Sequence, residues 1–266
     1  MEIFQILGYF GAFAIGLVLG LMGSGGSIMA VPIFAYLFHI SPITTTAYSL
    51  FVVGTSASIG VLKNFNKGLI DFKIAFIFAI PAFISVYVIR KFVIPIIPEI
   101  LISIGSFVVT KNMGIMFLFA LLMLIASISM LQMKSQSFKK SKIVRYNYPI
   151  MICAGVLIGI LSGIVGIGGG FLIIPTLVLL VKLPMKKAVA TCLLIIALKS
   201  LIGFTGDIGN QEINWSFLLV FTLIAILGIF LGVYLSTLFK SEKLKRSFGW
   251  FVLIMAIGIF CKEILV

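Results

Sequence analysis

"GLMGSGGSIMAVPIF" (Gly20–Phe34) and "GIVGIGGGFLIIPTL" (Gly163–Leu177) are one pattern written twice, 143 residues apart. Each places clustered glycines inside a long apolar run and a proline shortly after, at Pro32 and Pro175. Glycine lets a chain turn sharply or approach a ligand closely. A greasy segment broken this way twice reads as a helix that stops, turns and restarts.

The surroundings set the solvent. The chain has 266 residues, of which 62% are hydrophobic and 10% charged, against about 25% charged in an ordinary soluble domain. Its apolar segments are separated by short polar stretches, as in a polytopic membrane protein. The start (Met1–Phe13) lacks a basic leader and a small-residue cleavage site and reads as an uncleaved first segment. The net charge of +13 needs no nucleic-acid partner, because basic residues collect in the cytoplasmic loops of membrane proteins. Cys153, Cys192 and Cys261 lie in apolar segments without CxxC spacing, so neither a disulfide framework nor a metal site is expected.

The duplication extends beyond the glycines. At the same offset Gly16 falls on Gly159, Gly20 on Gly163 and Ala47 on Ala190, and "KGLIDF" (Lys67–Phe72) falls on "NQEINW" (Asn210–Trp215). The chain therefore divides into repeat 1 (1–133), a basic linker (134–147) and repeat 2 (148–266), together one membrane domain. The stretch Val93–Thr110, with two prolines and Glu99, reads as an interfacial helix or an early start to the next span.

Charge counting orients the chain. If each glycine-broken unit crossed the membrane once, the loops would split nine basic residues against ten. If each enters and returns as a hairpin, the loops Lys63–Lys73, Lys134–Arg145, Lys182–Lys187 and Lys240–Arg246 share one side with fifteen, against four opposite. Only the second obeys the positive-inside rule. The expected fold is all-α: two inverted-topology repeats, each a glycine-tipped re-entrant or broken helical hairpin plus about three transmembrane helices. The basic loops are then cytoplasmic and the termini extracytoplasmic.

Ser27–Phe38 and Gly170–Val181 are twelve residues each, or about 18 Å as helix, short of a hydrocarbon core about 30 Å thick. They read as half-helices whose glycine tips come together near the midplane. Free N–H groups and the positive dipole end make a helix start an anion site. The candidate substrate-binding residues are Gly23, Ser24, Gly25, Gly26 and Ser27 in the first tip, and Gly166, Gly168, Gly169 and Gly170 in the second. The outer series Gly8, Ala12, Gly16, Gly20 and Gly155, Gly159, Gly163 suits helix packing instead.

Lys199 lies about twelve residues into its span. A charge at that depth marks a pathway, unless the side chain snorkels toward the loop after Gly206. Ser49 and Cys192 join it as polar lining candidates, among Thr45, Thr55, Ser56 and Thr191. No carboxylate sits in mid-span, and the single histidine, His39, ends a half-helix. The polarity on offer is cationic or dipolar, which favours an anion. A membrane enzyme would need a nucleophile–base pair or a metal cluster, for which these residues are unsuited. A scaffold subunit remains a reading of a different class.

The doubled "GLMGSGGSIMAVP" and "GIVGIGGGFLIIP", followed by "TAYS" and "VATC", resemble the TauE/SafE sulfite-exporter family over nearly the whole chain. The resemblance implies a permease of the prokaryotic inner membrane for sulfite, thiosulfate or an organosulfonate, with no cofactor. An anion channel, or a carrier of another small organic anion, is the alternative. A coupling ion (H+ or Na+) and a homo-oligomer stay open at this level.

Overall fold

The computed structural model describes residues 2–23, 25–65, 67–104, 107–132, 147–166, 170–179, 181–236 and 241–265. The linker, apart from Asn147, lies outside them. Among the described residues seven helices are long and apolar enough to cross a membrane. Large apolar side chains such as Leu223, Leu227 and Ile254 face outward, where lipid solvates them. The chain is a multi-pass helical membrane protein.

The first half runs α1 (Glu2–Met22), α2 (Gly26–Pro32), α3 (Pro42–Phe65), α4 (Phe72–Val88), the short α5 (Ile94–Ile96) and α6 (Lys111–Gln132). The second half runs α7 (Tyr148–Val165), α8 (Gly170–Leu179), α9 (Met185–Thr205), α10 (Trp215–Leu235) and α11 (Ser241–Leu265). Both α2 and α4 continue into a wider π-helical turn, Ile33–Leu37 and Ile89–Val93. Pro32 has no N–H to donate, which loosens the ladder where the first of these turns begins. The basic stretch before residue 247 is not all loop, since α11 already starts at Ser241.

Between α5 and α6 the structure has a β-hairpin, β1 (Ile100–Ile104) with β2 (Phe107–Thr110), antiparallel. This corrects the expected interfacial helix. Pro95 and Pro98 stop helix growth, and the following run of isoleucine, valine and phenylalanine prefers extended backbone.

Helix ends repeat between the halves. Asp71 and Asn214 are equivalent positions that cap α4 and α10, accepting from the backbone N–H groups of Ile74 at 3.0 Å and Phe217 at 3.1 Å. Each cap's own N–H crosses to the other half: Asp71 donates to Thr191 Oγ1 at 3.0 Å and Asn214 to Tyr48 Oη at 2.7 Å. Thr191 and Tyr48 are themselves equivalent at the 143-residue offset.

Packing exchanges partners in the same reciprocal way. Helix α1 lies along α10, and α7 along α4. A Cβ on Gly16 would meet the Ala225 carbonyl, and a Cβ on Gly159 the equivalent Ala82 carbonyl. The outer glycines thus serve backbone-to-backbone contact. At the centre α3 crosses α9 in opposite directions: Gly54 abuts Leu201, whereas Gly60 abuts Leu193. Helices α6 and α11 pair with each other and form a second core against Ile28 and Val31 of α2.

Candidate functional site

Each break begins with a left-handed glycine. Gly23 (φ +73) and Gly166 (φ +70) end α1 and α7, and their N–H groups close on the carbonyls of Leu19 at 2.7 Å and Ser162 at 2.9 Å. Only glycine holds that backbone without steric cost. Ser24, Gly168 and Gly169 lie outside the described residues. Gly25 precedes α2, Gly26 and Ser27 open it, and Gly170 opens α8.

The two left-handed glycines do not meet. Gly23 packs against Val189 and Gly166 against Thr46, each near the start of α9 or α3. Because those helices run in opposite directions, the two contacts lie about 25 Å apart along the bundle at 1.5 Å per residue. The expected meeting of glycine tips is corrected for this pair. Each caps one end of the bundle instead.

The half-helix starts lie deeper. Gly26 presses on the Ile15 carbonyl, seven residues before α1 ends, or about 10 Å inside it. The Gly170 carbonyl accepts from Cys192 Sγ at 3.7 Å, and Cys192 lies the same distance into α9. Ser27 is fully buried. An aromatic cluster of Tyr9, Phe34, Phe38 and Tyr48 from the first half with Phe217 and Phe221 of α10 packs around the end of α2 and the turn after it; Phe34 and Phe221 have ring centroids 4.4 Å apart.

Lys199 is 0% exposed. Its Nζ donates to Ser162 Oγ at 2.8 Å, so the side chain turns inward to α7 and does not snorkel. Among the described residues no carboxylate pairs with it. Its equivalent in the first half is Ser56, whose hydroxyl is enclosed without a hydrogen-bond partner among the described residues, as are those of Ser49 and Ser200. Thr45 and Thr191, read as lining, are otherwise engaged: Thr45 donates to the Ile40 carbonyl and Thr191 serves the Asp71 cap.

Two contributions escaped sequence reasoning. Ser162 looked like one more small residue of α7, yet its equivalent is Leu19, and that exchange of leucine for a hydroxyl was the available signal. In the sequence Arg90 and Asp207 stand at the ends of apolar segments and belong to no motif. They form a buried ion pair, Nη1 to Oδ2 at 3.3 Å.

A family model, described as sulfite exporter TauE/SafE, matches residues 8–259. The chain belongs to the TauE/SafE family. Its relatives include a probable membrane transporter protein of Xylella fastidiosa, 28% identical over 94% of this chain and 92% of that one. Another is the probable membrane transporter protein YunE of Bacillus subtilis, 27% identical over 98% and 97% of the two chains. No solved structure matches. Members are thus membrane transporters by name, and the glycine-broken helices and Lys199 stand within the matched region of a TauE/SafE transporter.

Proposed function

We propose that this chain is a secondary permease for a small sulfur-containing anion, such as sulfite, thiosulfate or an organosulfonate. It works by alternating access between two inverted repeats (1–133 and 148–266), around a site bounded by the starts of α2 and α8. Lys199 carries the reading: a buried lysine whose one described partner is a neutral hydroxyl. An uncompensated charge in mid-membrane is costly and persists where it serves a pathway. An arriving anion supplies the missing countercharge. The opposed course of the equivalent helices α3 and α9 supports the inversion, and the family's description supports the substrate class.

The site chemistry follows from these parts. The helix starts at Gly26 and Gly170 offer dipolar donors, the buried hydroxyls of Ser49 and Ser56 offer adaptable ones, and Lys199 offers charge. Ser27 and Cys192 flank the two half-helix starts. The basic loops face the cytoplasm in this reading.

Flux of sulfite and thiosulfate into proteoliposomes tests it, with Lys199→Met and Gly25→Leu beside the unaltered chain. Saturable flux lost in folded variants is the expected result. Unchanged flux in both would sink the site, and flux that never saturates would favour a channel.

A further inference from the structure

Arg90 and Asp207 belong, like Lys199 and Ser162, to the part of the core that the duplication does not reproduce. Their equivalents are Val233 and Asn64. Arg90 stands in the π-helical turn Ile89–Val93, and such turns recur at functional sites. Its side chain is 0% exposed and that of Asp207 2%.

The pairing is incomplete. Nη1 alone reaches the carboxylate, at 3.4 Å to Oδ1 and 3.3 Å to Oδ2. Among the described residues Nε and Nη2 are enclosed without a partner, and Asp207 Oδ2 accepts no hydrogen bond. A purely structural arginine–carboxylate pair gains most by lying fork to fork. Here the aspartate engages Nη1 alone and leaves the Nε–Nη2 edge without a protein partner among the described residues, and a buried donor left unpaired is costly. That edge matches two oxygens on one central atom, the geometry of a sulfite or sulfonate group.

Its position suits the task. Gly206, closing α9, abuts the Arg90 Cβ, and Ile89 abuts Gly163, three residues before the left-handed Gly166. The vacant edge therefore sits at the end of the bundle where α7 hands over to α8.

We propose that the Nε–Nη2 edge of Arg90 is a binding point for the transported oxyanion at this end of the bundle, with Asp207 as the internal competitor that the anion displaces. Displacement would break the ion pair that ties the end of α9 to the turn after α4, so arrival of substrate and release of that tie are one event. This rests on the anion-permease reading above.

The test uses the full chain in detergent, with sulfite and thiosulfate titrated calorimetrically and chloride as the control. Arg90→Lys keeps the charge and removes the fork, and should weaken sulfite at least about tenfold, the equivalent of 1.4 kcal/mol. Asp207→Asn removes the competitor and should tighten it. The double variant Arg90→Gln/Asp207→Asn leaves no unpaired buried charge, so it reports on the edge even if Arg90→Lys fails to fold; it should fold and bind weakly. Unchanged affinity in Arg90→Lys or in the double variant means a structural ion pair only. Weakening by Asp207→Asn overturns the competition. An unaltered chain that binds neither anion removes sulfite and thiosulfate as substrates and this inference with them, an outcome distinct from either.

Discussion

Lys199 Nζ and Ser162 Oγ meet at 2.8 Å inside the bundle, one on α9 and the other a turn before the left-handed end of α7. The contact ties the buried charge to the break that starts the second half-helix. Lys199→Met should abolish anion flux while leaving the melting temperature unchanged or higher, because a buried charge without a countercharge is replaced by apolar bulk. Ser162→Ala should do the reverse to stability: it strips the ammonium of its partner, at about 1–3 kcal/mol. Thermal unfolding in detergent beside proteoliposome flux reads both.

The glycine contacts separate packing from permissiveness. Gly16→Leu and Gly159→Leu should each fail to give folded protein, since a side chain there must enter the backbone of α10 or α4. Gly258→Ala should be tolerated and slightly stabilising, by about 0.5–1 kcal/mol, because an added Cβ meets nothing within 4 Å. Size-exclusion profiles and melting temperatures distinguish them.

The paired caps should behave alike. Asp71→Ala and Asn214→Ala each remove one side-chain acceptor from a helix start, at about 0.5–2 kcal/mol. Similar drops in melting temperature are expected, and a large difference would show that the halves are not energetically equivalent.

Phe34→Ala opens the aromatic cluster around α2 and should cost about 3–5 kcal/mol. Ile173, within α8, is fully buried, and its truncation to alanine should cost about 2–5 kcal/mol. Melting temperatures of the two variants give the comparison.

Sidedness is open to chemical labelling. With the native cysteines replaced, a cysteine at Ser137 in the basic linker should react only after permeabilisation, and one at Phe92 beside Arg90 should react in intact cells. The reverse pattern would invert the orientation argued from loop charge.

The membrane class, the repeat and the half-helix boundaries were legible in the sequence, because hydrophobic run length and glycine spacing are local properties. Gly26 and Gly170 opened helices within one residue of expectation for that reason. The relation between the breaks was not legible. That Gly23 and Gly166 cap opposite ends depends on α3 and α9 crossing antiparallel, and no local pattern encodes which helices exchange partners across the halves. Lys199 was visible as a charge in an apolar span, but its inward turn depended on a hydroxyl from a different helix. Arg90 and Asp207 stood at the ends of apolar segments with nothing to join them, since 117 residues separate them. Composition and periodicity by themselves determined that this chain lives in a bilayer and breaks twice. Only the tertiary packing decided which polar groups were closed off together, because burial is set by neighbours distant in sequence.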